Sequence, residues 1–146
     1  MASSSYIQLI SKIQAFCDAH LAIKRFDAEF GEQRPNLATD SELYPYVFLE
    51  PSSVDGGYDV RNFSVTLTCY DIIQKDRANI NTIVSDCEQD LQDLFAYFNQ
   101  GLDSDIIAIS QTKTPLNNYD LDYVAGWSMN IVFELEGWCT NAIPMN

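Results

Sequence analysis

The stretch Tyr58–Tyr70, YDVRNFSVTLTCY, decides how this chain folds. Phe63, Val65, Leu67 and Cys69 point one way; Asn62, Ser64, Thr66 and Thr68 point the other. Such a strict period of two marks a strand, because successive side chains leave a pleated backbone on opposite faces. One set is apolar and the other polar, so the sheet has one buried and one polar face. A half-buried sheet needs amphipathic partners.

Working outward, the chain supplies two. Ser5 to about Ala22 reads as a helix, with Tyr6, Leu9, Ile10, Ile13, Cys17 and Leu21 at helical spacing. Ser5 and Gln8 have the form of a capping box at its start. Asn79–Asn99 is a second helix, whose apolar stripe is Ile80, Ile83, Val84, Cys87, Leu91, Leu94, Phe95 and Phe98. Gly101 follows where a helix end favours a left-handed residue.

Four more strands complete the pattern. Ile23–Phe30 alternates weakly, and Tyr46–Glu50 is short, bounded by Pro45 and Pro51. Ser52–Gly57 (SSVDGG) reads as a turn. Ile106–Lys113 and Val124–Trp138 follow the second helix, joined by a loop over Pro115–Asp122. Glu32–Leu43 is polar, contains a proline and has no periodicity, so it reads as a loop. The expected fold is a single α+β domain over residues 1–146, in the order α-β-β-β-α-β-β. Consecutive strands predict largely antiparallel neighbours, with both helices on one face.

Composition bounds the function. An apolar share of 47% over 146 residues is enough for a real core. Against 21 acids stand only 8 bases, scattered along the chain, for a formal charge of −13. Phosphate-directed binding of nucleic acid needs clustered Lys and Arg, so it is not expected. An anionic membrane surface is disfavoured for the same reason. The charge suits a soluble particle, a basic partner or a surface that must repel nucleic acid. The start, Met1 to Ser5, has no basic region before an apolar run, so no targeting segment is expected.

No catalytic or metal-binding constellation stands out. Cys17, Cys69, Cys87 and Cys139 are far apart and form no C-x-x-C pair, so they read as small buried hydrophobes. The one histidine, His20, has Cys17 three residues before it but no second ligand pair nearby, and reads as a surface or boundary residue. Gly56-Gly57 is not followed by Lys-Ser/Thr, so no phosphate loop is expected. Asp103 with Asp105, Asp120 with Asp122 and Glu134 with Glu136 lie two apart, roughly 7 Å on a strand. In so acidic a chain, such pairs arise by chance. Asp86, Asp90 and Asp93 share a face of the second helix that reads as lying opposite the apolar stripe. Like charges at this spacing destabilise an isolated helix by roughly a few tenths of a kcal/mol each. Two readings stay open: a solvated face, or an acidic surface lining a channel or facing a basic partner.

The strand ending in Cys69-Tyr70-Asp71, the bend Lys75-Asp76-Arg77-Ala78-Asn79, and the helix with Ser85-Asp86-Cys87 then Asp90 and Asp93 resemble the small neck and tail-completion proteins of tailed bacteriophages. More specifically, they resemble those of phages infecting Bacteroides-like hosts, including the crAss-like group. The closing strand, Gly126-Trp127-Ser128-Met129 through Cys139, fits the same pattern, and the resemblance covers about Ser5 to Cys139. It implies a tail-terminator-like fold and a virion protein, made in the host cytoplasm. It further implies a homo-oligomeric ring of six or twelve copies beside portal, neck or tail proteins. DNA would pass through an acidic lumen without specific binding, and neither a cofactor nor catalysis is implied. A negative lumen suits this role, because it keeps packaged DNA off the wall. Asp86, Asp90 and Asp93 become candidates for the lumen or a partner face. Leu116, Tyr119, Asp120, Leu121 and Asp122 are the candidate inter-subunit loop, with Val54, Asp55 and Tyr58 as secondary interface residues. Two other readings stand beside it: an acidic immunity or inhibitor protein that captures a basic toxin, and an enzyme using scattered carboxylates.

Overall fold

The computed structural model describes residues 6–28, 45–57, 60–72, 80–101, 106–117 and 124–136. The elements are α1 (Tyr6–Ala19), β1 (Arg25–Ala28), β2 (Tyr46–Gly56), β3 (Val60–Ile72), α2 (Ile80–Asn99), β4 (Ile106–Asn117) and β5 (Val124–Glu136). This is the α-β-β-β-α-β-β order and α+β class that the patterning predicts.

The five strands form one sheet in the order β1-β2-β3-β5-β4. Its centre is the β3–β5 pair, antiparallel from Val60↔Glu136 to Ile72↔Val124. Following β3, α2 carries the chain to the far edge as β4, and β5 returns between them.

The sheet is largely antiparallel, as expected; three details of it differ from the patterning. First, β1 pairs with β2 in parallel, Arg25↔Tyr46 to Ala28↔Leu49. Parallel neighbours need a connection of about a dozen residues or more, and the segment 29–44 is that long. Second, Pro51 does not end its strand, and Ser52–Gly56 is not a turn: β2 runs through both. A register shift between Pro51 and Ser53 accommodates the residue that cannot donate. Third, Pro115 and Leu116 belong to β4. Here the proline is tolerated because β4 is the outer strand of the sheet.

Both helices cover one face. Leu9, Ile13 and Cys17 of α1 join Ile83, Cys87, Leu91, Leu94 and Phe98 of α2 in a single core with Val65, Leu67, Ile131 and Phe133. Phe98 sets its edge against Phe133 at 5.5 Å, and Phe16 of α1 leans on Phe98 at 6.3 Å. Leu21, expected in the α1 stripe, lies beyond the helix end and is 95% exposed. Polar ties set the position of α2 on the sheet. Trp127 Nε1 donates to the Val84 carbonyl at 2.8 Å, and Asn99 Nδ2 to the Ala108 carbonyl at 2.9 Å. Lys113 Nζ reaches Glu88 Oε2 at 2.8 Å and Gln92 Oε1 at 2.7 Å.

On the other face, Tyr46, Phe48 and Tyr70 are buried as a separate aromatic group. Thr66, on the same face, donates to Asn130 Oδ1 at 2.9 Å. Gly101 ends α2 with φ 74°, the left-handed conformation that closes a helix.

Candidate functional site

The described residues present two distinct features, a polar cluster between the helices and a projecting strand pair.

The cluster begins with Asp90. Helical geometry explains its burial: seven residues is nearly two whole turns, so Asp90 falls under Ile83 and between Cys87 and Leu94. Those three residues form the buried stripe. The expectation that Asp90 lies opposite the stripe is therefore wrong, and the carboxylate is only 5% exposed. Asp93 is half-buried at the edge of the stripe and Asp86 is exposed. The three aspartates do not form one solvated face.

His20, just past the end of α1, reaches this pair. Its Nε2 lies 2.9 Å from Asp93 Oδ2, and its side chain is only 16% exposed. Of the two expected placements it takes the boundary one, and from there it links the helices. The backbone N–H of Ala22 donates to Nδ1 at 3.1 Å. A neutral imidazole has one donor and one acceptor nitrogen, so the proton sits on Nε2 and is donated to Asp93. Gln89 Nε2 donates to the other Asp93 oxygen at 2.8 Å. Phe16 packs against the imidazole at 5.6 Å.

Beneath the cluster lie thiols. Cys17, Cys69 and Cys87 are buried and free, one each from α1, β3 and α2; Cys139 is outside the described residues. Cys69 Sγ approaches Asp90 Oδ2 at 4.0 Å. Burial pushes the Cys17 thiol up to about 12, with Asp18 and Asp90 adding to the effect. Hydrogen bonding with Cys87, then burial, raises Cys69 well above the ordinary thiol range. Both are protonated at neutral pH and poor nucleophiles. Burial raises the Asp90 carboxyl to about 6, His20 opposes the rise, and Asp93, Asp86 and Asp71 reinforce it. His20, Asp90 and Asp93 each bring a ligand atom within 4.8 Å of the others, a spread that a cation can bridge.

The second feature is the outer half of the β2–β3 hairpin. Ser52 to Gly56 are all exposed, and Val54 is exposed by 53%. Val54 pairs with Phe63 and Asp55 with Asn62, so these interface candidates belong to a strand and not to a turn. Phe63 lies roughly 20 Å along β3 from Cys69 at the rise of an extended strand, so the hairpin and the polar cluster are separate. A groove at the hairpin's base is lined by Tyr6, Pro51, Val54, Phe63 and Val65. At the opposite side of the sheet, β4 shows Ile107 and Ile109 to solvent.

The backbone of Leu116 pairs opposite Gly126. Tyr58, Tyr119, Asp120, Leu121 and Asp122 lie outside the described residues. The sequence reading missed the tie from His20 to Asp93, which spans 73 positions. The burial of Asp90, by contrast, was legible in the spacing Ile83, Cys87, Asp90, Leu94.

The chain matches no protein-family model and no curated protein. Among the described residues, no helix is long and apolar enough to cross a membrane.

Proposed function

We propose that this chain is a structural virion protein, one copy of a ring in the neck or tail connector of a tailed bacteriophage. The observation that carries the reading is the pair of strand edges at opposite sides of one sheet. Among the described residues, β1 covers β2 only from Tyr46 to Leu49, so Ser52–Gly56 project with a neighbouring strand on one side alone. Across the sheet, among the described residues, β4 pairs only with β5. Two different edges suit head-to-tail contacts, which close into a ring when the rotation between copies allows it.

The charge supports the same role. A net charge of −13 makes a lumen from which DNA slides freely. Asp86 is exposed on α2 and contributes, whereas Asp93 is engaged by His20 and Gln89 and Asp90 belongs to the interior. Portal, neck or tail proteins are the adjoining partners in this reading.

Molar mass by light scattering, over a wide concentration range and at two salt concentrations, tests the proposal. A closed oligomer, seen as rings by electron microscopy, is the expected result, in solution or on addition of the adjoining neck protein. A chain that stays monomeric with every neck and portal partner, yet binds a basic toxin one to one, would overturn it in favour of an inhibitor.

A further inference from the structure

We propose that His20, Asp90 and Asp93 form a binding site for one divalent first-row cation, of the zinc or manganese class, which ties the end of α1 to α2. The site is independent of ring formation.

Three observations lead there. The ligand atoms of the three side chains already lie within 4.8 Å of one another. A cation bound at about 2.0–2.2 Å from each would hold them roughly 3–4 Å apart, so only a small contraction is needed. Next, Asp90 is 5% exposed, and among the described residues its only hydrogen-bond partner is the Cys69 thiol at 4.0 Å. Buried carboxylates ordinarily have strong partners, and among the described residues Asp90 has neither an N–H nor an O–H donor. It is aimed at the same place as His20 and Asp93. Finally, the Asp93 side chain is 41% exposed and His20 borders an open cleft with Phe16, Ala19 and Tyr97, so an ion can reach the site from solvent.

The donor set chooses the cation. An imidazole nitrogen suits zinc and its neighbours, and two carboxylates suit manganese as well; calcium and magnesium prefer oxygen alone. Binding at Nε2 displaces the proton now shared with Asp93 and places the ring proton on Nδ1. The Ala22 N–H then turns to water, which is at hand because Ala22 is exposed. Three protein ligands leave the remaining positions to water.

The test uses the full chain stripped with EDTA, titrated with Zn²⁺ and with Mn²⁺ by calorimetry, and with Co²⁺ by absorption. One equivalent of zinc or manganese is expected to bind, and Co²⁺ to show nitrogen–oxygen ligation without a thiolate charge-transfer band. His20→Gln and Asp93→Asn should each weaken binding at least about tenfold. Asp93 has a side chain 41% exposed, so its variant keeps the fold, and melting in EDTA verifies this. No binding at millimolar cation, unchanged affinity in Asp93→Asn, or a thiolate band would overturn the proposal.

Discussion

The two halves of β2 are built on opposite terms. Tyr46, Val47, Phe48 and Leu49 are fully buried, with β1 on one side and β3 on the other. Beyond the shift at Pro51, Ser52 to Gly56 are exposed, and among the described residues Ser53 to Gly56 pair with β3 alone. Packing dictates the inner half, where every side chain has neighbours to satisfy. The outer half has no such constraint, and an exposed valine there contributes little to the fold. The comparison predicts that damage to the inner sheet destroys stability, whereas damage to the outer half spares it and affects only what the hairpin touches.

The largest effect is expected at Gly126, which lies in register with Tyr70 and through it with Tyr46. A Cβ there would collide with the Cys69 carbonyl oxygen and stand 2.7 Å from the Tyr70 Cα. Both are backbone atoms at the centre of the sheet and cannot turn aside. Gly126→Ala should cost more than about 4 kcal/mol, or prevent folding outright. A urea midpoint equal to that of the parent chain would contradict the close approach of β3 and β5. Next in size is Leu49→Ala, which empties a core position and should cost about 2–5 kcal/mol in the same measurement.

Tyr46 sharpens the comparison through pH. Its hydroxyl donates to Asp27 Oδ2 at 2.7 Å, and Arg25 Nε donates to the same oxygen at 2.8 Å. Burial, then the hydrogen bond and charge of Asp27, raise the phenol far above its ordinary value. For an acid held neutral in the fold, the added stability is complete below the unfolded value, about 10 for tyrosine. It is lost as pH climbs from there towards the folded value. Thermal melts should therefore fall above about pH 10. Tyr46→Phe should lower stability at neutral pH by about 1.5–3 kcal/mol, the range for a hydrogen bond to a charged group. It should also flatten the alkaline fall, and a variant with the parent's alkaline slope would show that another group causes it.

What the sequence discloses follows the same division. The alternation of Phe63 to Cys69 and the stripe of α2 reveal the sheet and its cover, because burial writes a period into the residues. Pro51 and Pro115 mislead for a physical reason. A missing N–H ends a central strand but is harmless at a bulge or in an outer strand, and the residues themselves do not say which holds. The His20–Asp93 contact joins α1 to α2 across the intervening strands, and no local spacing encodes it. Asp90 was legible, since its position in the period is that of a core residue; its charge drew the reading to the surface.

The smallest expected change in stability is at Val54, and it bears most directly on function. Val54 is exposed by 53% in the outer half of β2. Val54→Lys removes an apolar contact surface and keeps a side chain that a strand tolerates within about 1 kcal/mol. The denaturation midpoint should thus stay close to the parent's, with an unchanged dependence on urea. If the hairpin contacts a neighbouring copy, the same substitution buries an ammonium at that contact, and such a charge is costly without a partner. Light scattering should then show the oligomer dissociating at concentrations where the parent chain holds together. Parallel losses in folding and assembly would mean that the outer half is structural after all, and the contrast along β2 would vanish. Loss of assembly alone would locate one side of the ring contact on a strand that the fold does not require.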